Sequence, residues 1–259
     1  MNFSPLPQLS LANDILPQVI TITWEIIDLL RDFYRRSQLQ VVDKCGEPQT
    51  EADLAADRHI SHKLQAIFGE SCGYLTEETY QQSQKACPQA WVWIIDPIDG
   101  TKEFVNKTGE YAVHIALVYQ QRPVLTVVAL PEAELIYYAV KGQGAYRVNR
   151  SGAEVRLRVD RSTPINDAII IASRSHRSPA LEKILASLPS PHQIQVGSVG
   201  GKIAAIIEHR ADIYISVSSA SAPKDWDLAA PELILTEAGG IFTNSQGQAL
   251  LYNRDDVSQ

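Results

Sequence analysis

Cysteine is scarce and scattered: the chain has three, Cys45, Cys72 and Cys87, with no C-x-x-C pair among them. Neither a zinc knuckle nor a redox dithiol is encoded, and a reducing compartment suits the chain better than an oxidising one. Basic residues are also in the minority. Lys and Arg number 23 against 30 Asp and Glu, giving a formal net charge of −7. Their densest run, residues 31–36, falls short of the basic stripe of a nucleic-acid binder. No long apolar run is present; residues 15–30 are broken by Gln18, Glu25 and Asp28, too polar a segment to span a bilayer. No basic residue precedes Arg31, so the start lacks the charged region of a signal peptide. Also missing are a G-x-G-x-x-G after a strand and a G-x-S-x-G elbow, which sets aside a nicotinamide-binding module and a serine-hydrolase triad around Ser175 and His176. The expectation is a cytoplasmic globular protein with no nucleic-acid or membrane partner. An acidic protein of this kind needs bound cations to reverse the local field if its substrate is anionic.

The 259 residues suffice for one large domain or two packed halves. Ala12, Ile15, Leu16, Val19, Ile26, Ile27, Leu30 and Phe33 recur at helical spacing, with Pro17 in the first turn or at a kink. A second helix is predicted from Thr50, which with Asp53 forms a T-x-x-D capping box. A short buried strand over 91–95 ends at Asp96-Pro97. Strands are expected at 111–119, 124–130 and 135–140, with turns at 121–123 and 131–132 and a break at Gly142 and Gly144. Beyond residue 150 the pattern alternates. Strands are expected at 154–159, 168–172, 193–196 and 212–217, and helices at 179–188, 201–208 and 227–238. Residues 1–150 therefore read as a helix pair on an antiparallel sheet, residues 151–259 as an α/β half, and the whole as a layered α/β sandwich.

The strongest chemical signal is Asp96-Pro97-Ile98-Asp99-Gly100-Thr101-Lys102-Glu103-Phe104. Two carboxylates flank a proline just after an apolar strand, and Gly100 permits a sharp turn. Such a loop can aim both carboxylates and a backbone carbonyl at one point, the oxygen donor set that Mg²⁺ prefers. D-x-x-D alone would be read as an ordinary Asx turn; the nine-residue string is far more specific.

That string resembles the D-P-[IL]-D-G-T signature of the inositol monophosphatase superfamily. Its T-K-E-F continuation and the segment from Gly109 to Leu117 resemble the 3'(2'),5'-bisphosphate nucleotidase branch. Thr50-Glu51-Ala52-Asp53, Thr76-Glu77-Glu78 and Lys224-Asp225-Trp226-Asp227-Leu228-Ala229-Ala230-Pro231-Glu232 resemble three further family motifs in the expected order. The likeness spans roughly residues 40 to 250. It departs at Glu47-Pro48-Gln49-Thr50, where many of these nucleotidases carry S-P-V-T, and relatives usually continue beyond Gln259, so a truncated chain is an expectation too.

The resemblance implies an alternating α-β-α-β-α sandwich and a Mg²⁺-dependent phosphomonoesterase using two to three ions and sensitive to lithium. It implies that Glu77, Asp96 and the Ile98 carbonyl hold one ion, that Asp96, Asp99 and Asp227 hold another, and that Asp53 and Thr101 orient the attacking water. Gly100 and Thr101 would face the phosphate. Ser173-Arg174-Ser175-His176 and the stretch from Gly197 to Lys202 resemble nucleotide-side segments, which makes Arg174, His176, Ser198 and Lys202 substrate-binding candidates beside Asp227. On the residues alone, Glu77 reads equally as a surface charge, Asp227 as a helix cap with Pro231 in the first turn, Asp53 as half of a capping box and His176 as plain surface. The implied partner is a small phosphorylated nucleotide, adenosine 3',5'-bisphosphate or its sulfated analogue, and the chain works as a monomer or homodimer. The alternatives are an inositol phosphate phosphatase, a fructose 1,6-bisphosphatase, or a silent regulator that binds metal or nucleotide.

Overall fold

The computed structural model of the chain describes residues 9–44, 46–160, 162–217 and 222–259. A π-helical turn (Leu11–Ile15) runs into helix α1 (Leu16–Tyr34), with Pro17 in its first turn, where a missing N–H leaves no bond unmade. The hairpin of β1 (Val41–Lys44) and β2 (Glu47–Thr50) follows. Helix α2 (Glu51–Phe68) starts from a capping box: Ala52 N–H donates to Thr50 Oγ1 at 3.1 Å and Thr50 N–H to Asp53 Oδ2 at 2.8 Å. Strand β3 (Gly73–Thr76) pairs in parallel with β4 (Trp91–Asp99). A short helix α3 (Thr101–Val105) then turns the chain into an antiparallel meander of β5 (Ala112–Tyr119), β6 (Arg122–Leu130), β7 (Leu135–Val140), β8 (Gly144–Asn149) and β9 (Glu154–Leu157). Together these make one seven-stranded sheet in the order β3-β4-β5-β6-β7-β8-β9. The remaining elements are β10 (Ile170–Ser173), α4 (Pro179–Ser187), β11 (Gln193–Val196), α5 (Val199–Ile207), β12 (Ile213–Tyr214) and α6 (Asp225–Glu237). Their strands form a small parallel sheet ordered β11-β10-β12.

Side-chain parity explains the layering. In β4 and β5, Trp93, Ile95, Val113, Ile115 and Leu117 pack with Val19, Ile26 and Leu30 of α1 and Ala56 and Ile60 of α2. Their alternates Val92, Ile94, Ala112, Ala116 and Val118 pack with Ile203 and Ile206 of α5 and Leu233 and Ile234 of α6. Successive residues of a strand point to opposite faces, so a sheet covered on both sides needs the near-continuous apolar strands seen here. In β10, Ile171 joins the α5–α6 layer while Ile170 and Ala172 pack on Leu181 and Leu185 of α4. The order is helices, large sheet, helices, small sheet, helix: the α-β-α-β-α sandwich. No helix among the described residues is long and apolar enough to cross a membrane.

Several boundaries differ from the sequence reading. The turn expected at 121–123 is made by Gln120 and Gln121, both left-handed at φ 46° and 67°, and Arg122 already belongs to β6. The strand expected over 212–217 shortens to Ile213–Tyr214. The β1–β2 hairpin, β3 and β8 were not expected. Helix α6 begins two residues before Asp227, so Asp227 is its third residue and Pro231 lies inside the helix, outside the first turn.

Candidate metal centre and its surroundings

The two aspartates of β4 are aimed by a break in the strand's register between Asp96 and Asp99. Asp96 Oδ1 accepts the Ile98 N–H at 3.0 Å, which fixes the turn. Gly100 follows at φ 98°, a conformation that disfavours any side chain, and caps α3. Asp227 arrives from the opposite half of the chain. Its carboxylate accepts the Lys224 N–H at 2.5 Å, as the third residue of a helix does in a capping box. One carboxylate oxygen each from Asp96, Asp99 and Asp227 lie within 4.8 Å of one another.

Glu77 follows β3 and is held beside β4 by its N–H, which donates to Ile95 O at 3.1 Å. Its neighbour Glu78 is engaged elsewhere: Lys44 Nζ donates to it at 3.0 Å and Gln49 Nε2 donates to it as well. The β1–β2 hairpin thus claims Glu78 and leaves Glu77 to face the aspartates. On the other side, Thr101 Oγ1 donates to Asp53 Oδ1 at 3.0 Å and lies 3.2 Å from Ile98 O.

Burial and mutual repulsion shape the charge of the cluster. Burial, then Glu77 and Asp99, push Asp96 well above the usual carboxylate range. Burial, then Asp227 and Glu78, do the same to Glu77. Burial and Asp99 raise Asp227 to about 7, and burial raises Asp53 to about 6. Burial also opposes ionisation of Asp99, but His114, Lys202 and the Gly200 amide outweigh it and hold Asp99 below its ordinary value. His114 is fully buried. Its Nε2 lies 3.1 Å from Asp99 Oδ2, and its Nδ1 lies 3.2 Å from Trp226 O. The Val199 and Gly200 amides, the latter at 3.0 Å, donate to the same Asp99 oxygen. A set of buried oxygen donors so short of positive charge fits a hard divalent cation.

The substrate-side candidates fall into two groups. Lys202 is 3% exposed, and its Nζ turns back on the carbonyls of Gly197 at 3.2 Å and Ser198 at 2.7 Å. Ser198 caps α5 with φ 33°, and its Oγ accepts the Gly201 N–H at 2.9 Å. Arg174 forks onto Glu110 with bonds of 2.8 and 2.7 Å, and Glu110 also accepts Gly197 N–H at 2.7 Å. These residues brace one another. His176 stands apart: it is exposed, 3.1 Å from Lys102 Nζ, and the Lys102 ammonium pairs with Glu47 of the hairpin at 2.7 Å.

Sequence reasoning missed His114, Glu103 and Glu110. The first had a signal, a single imidazole in an apolar strand at the parity that faces α5 and α6. Glu103, buried and accepting the Ser175 hydroxyl, had none beyond its place in the motif.

The model of the inositol monophosphatase family matches residues 13–258. The 3'(2'),5'-bisphosphate nucleotidase CysQ of Aggregatibacter actinomycetemcomitans is 32% identical to this chain over 255 residues, covering 94% of this chain and 89% of the relative. Among solved structures, CysQ from Bacteroides thetaiotaomicron aligns with a TM-score of 0.72 at 27% identity, covering 93% of this chain and 92% of that one. An IMPase/NADP phosphatase complexed with Mg²⁺ and phosphate shares the fold, with a TM-score of 0.76 at 21% identity over 91% of this chain and 85% of that one.

Proposed function

The chain belongs to the inositol monophosphatase family, and from that premise we propose that it is a 3'(2'),5'-bisphosphate nucleotidase which, with Mg²⁺, hydrolyses adenosine 3',5'-bisphosphate to AMP and phosphate. One juxtaposition carries the reading: three carboxylates within 4.8 Å of one another stand beside a hydroxyl–carboxylate pair 3.0 Å apart. The nucleotidase relative that is 32% identical over 94% of the chain supplies the substrate class.

Glu77, Asp96 and the Ile98 carbonyl would hold one ion, and Asp96, Asp99 and Asp227 would hold the next. Bound there, two to three Mg²⁺ supply Lewis acidity to the phosphoryl oxygens and lower the pKa of water. The rest falls to the chain's own groups. Asp53 accepts the Thr101 hydroxyl hydrogen, so the Thr101 oxygen turns a lone pair toward the water and orients its attack. The water proton passes through Thr101 Oγ1 to Asp53 Oδ1, whose pKa of about 6 makes it a competent base near neutrality. The new bond joins water oxygen to phosphorus, the bond to the 3' oxygen breaks with its electron pair going to that oxygen, and the oxygen takes a proton from solvent water to become the 3'-hydroxyl. His114 and the first amides of α5 hold Asp99 in place while this happens. The 5'-phosphate is met at the rim by His176 and Lys102, while Arg174 stays forked onto Glu110. Lys202 acts from beneath as buried charge, and its nitrogen stays on the two carbonyls.

The deciding experiment is phosphate release with Mg²⁺ from adenosine 3',5'-bisphosphate, 3'-phosphoadenylyl sulfate, AMP, inositol 1-phosphate and fructose 1,6-bisphosphate. Binding energy from the remote phosphate should give roughly a tenfold or greater kcat/KM advantage to the bisphosphate over inositol 1-phosphate. AMP, lacking the 3'-phosphate, should be inert. Inositol 1-phosphate as the better substrate would overturn the reading.

A further inference from the structure

The carboxylates proposed as ligands reach the centre on separate arms. Asp96 and Asp99 share β4, Glu77 leaves the end of β3, and Asp227 comes on α6. The β3 and α6 arms also meet away from β4, where the segment 250–259 joins them. Asn253 is the junction. It is 9% exposed and sits at φ 55°, a left-handed conformation that Asn tolerates better than most residues. Its Nδ2 donates to Cys87 O at 2.9 Å, and its Oδ1 accepts the Cys87 N–H at 2.8 Å. One side-chain amide thus pairs with both polar groups of a backbone residue, as a neighbouring strand would. An Asp there has no donor and would set a carboxylate oxygen against the Cys87 carbonyl. The Asn253 N–H meanwhile donates to Asp225 Oδ2 at 2.6 Å.

Each partner of Asn253 leads to a ligand. Cys87 packs on β3: a Cβ built on Gly73 would lie 2.7 Å from Cys87 Cβ, and Cys87 Sγ is 3.8 Å from Tyr74 O. That strand ends at Thr76, immediately before Glu77. Asp225 is fully buried in the first turn of α6, two residues before Asp227. Its N–H donates to Val257 O at 2.9 Å, and Gln259 Nε2 donates to its Oδ1 at 2.5 Å. The two arms touch again through the rings of Tyr80 and Trp226, 5.3 Å apart, which stand three residues after Glu77 and one before Asp227. Removing one partner from buried bonds of this kind leaves the other unsatisfied, so the junction resists rearrangement.

We propose that Asn253 is a positioning residue of the metal centre: through Cys87 and Asp225 it fixes the separation of the Glu77 and Asp227 arms. With Glu77 and Asp227 as Mg²⁺ ligands, the premise taken from the proposed function, the ion's affinity depends on that separation, because Mg²⁺ demands near-ideal geometry of its oxygen donors. Loss of a group that orients metal ligands typically weakens metal binding by roughly 10–100-fold. Asn253 touches neither ion nor substrate, and its effect is confined to where the two arms stand.

Calorimetric titration of Mg²⁺ into the full chain, without substrate, tests this apart from turnover. In Asn253→Asp the Mg²⁺ dissociation constant should rise by about tenfold or more. A loss of packing alone would lower Tm and leave the affinity of the folded protein for the ion unchanged. Tyr137→Phe is the control: it removes a buried bond of 2.6 Å to Glu208, just past the far end of α5 from Asp99, and should lower Tm with Mg²⁺ affinity within about twofold of the parent. A second measurement uses the parent alone. Coupling between two sites is reciprocal, so saturating Mg²⁺ should slow hydrogen exchange at the Cys87 and Asn253 amides by about tenfold. A parent chain that takes up no Mg²⁺ would overturn the metal reading and this inference with it. A parent that binds the ion while Asn253→Asp binds it within about twofold as tightly would overturn this inference alone, as would exchange at those amides that Mg²⁺ leaves unchanged. If Asn253→Asp lacks a cooperative thermal transition, Asn253→Gly, which suits the left-handed backbone and keeps the N–H, decides in its place.

Discussion

At the scale of single residues, Asp96 is the carboxylate on which the proposed centre turns. It is 1% exposed and faces Glu77, Asp99 and Asp227 at once. Asp96→Asn keeps the shape and removes a charge that the proposed centre would share between two ions. It should lower kcat by about 10³-fold or more, the scale of a major electrostatic contribution, as read from phosphate release at saturating Mg²⁺; a loss under tenfold would contradict the assignment. Titration offers a second check that needs no turnover. Burial raises Asp53 to about 6 and Asp227 to about 7 from an ordinary value of 3.8. A raised carboxyl favours the folded state only while it is protonated. Metal-free protein should therefore keep this stability below about pH 4 and lose it as pH rises through about 6 to 7. Cations binding the ionised cluster reverse the trend, so the rise in Tm on adding Mg²⁺ should be larger at about pH 8 than at about pH 5. A pH-independent rise would show that these carboxylates do not hold the ion.

Secondary-structure elements do the positioning, and α5 does it most directly. Its first amides hold Asp99, and a Cβ built on Gly200 would lie 2.7 Å from His114 Nε2 and 2.8 Å from Ala112 Cβ. Gly200→Ala must push the helix away from β5. It should reduce kcat by roughly 10²-fold through misplacement of Asp99, with circular dichroism unchanged; full activity would mean that α5 does not set Asp99. The elements also show what local sequence can reveal. Helix α2 was legible to its first residue because its capping box is contained in four consecutive positions. The start of α6 was not, because distant residues fix it. Asp225 accepts the Asn253 N–H at 2.6 Å and Gln259 Nε2 at 2.5 Å, and its own N–H donates to Val257 O at 2.9 Å. Nothing near position 225 announces those partners. The carboxylate cluster was readable as a motif, whereas the burial of Lys202 depends on how α5 packs against β5 and escaped the sequence.

Across the whole molecule, the sandwich was legible because strands buried on both faces read as apolar runs and the later alternation of strand and helix points to layers. The division at residue 150 concerns chain order, whereas packing crosses it: β9 completes the large sheet, and α6 lies on β4, β5, β6 and β7. Residues 1–150 expressed alone should expose the face formed by Val92, Ile94, Ala116 and Val128 and bind a hydrophobic dye or aggregate. Supplying residues 151–259 in the same cell should restore solubility; a soluble, cooperatively melting 1–150 fragment would show instead that the first half folds alone. The same crossing has a consequence in time. A ribosome releases Glu77, Asp96 and Asp99 with their strands, but Asp227 emerges only after the small sheet. A nascent chain stalled before that point carries an open claw with one finger missing. On the proposed reading such fragments should be inert toward nucleotides, so the cell would gain hydrolytic power from this gene product only when translation has passed Asp227.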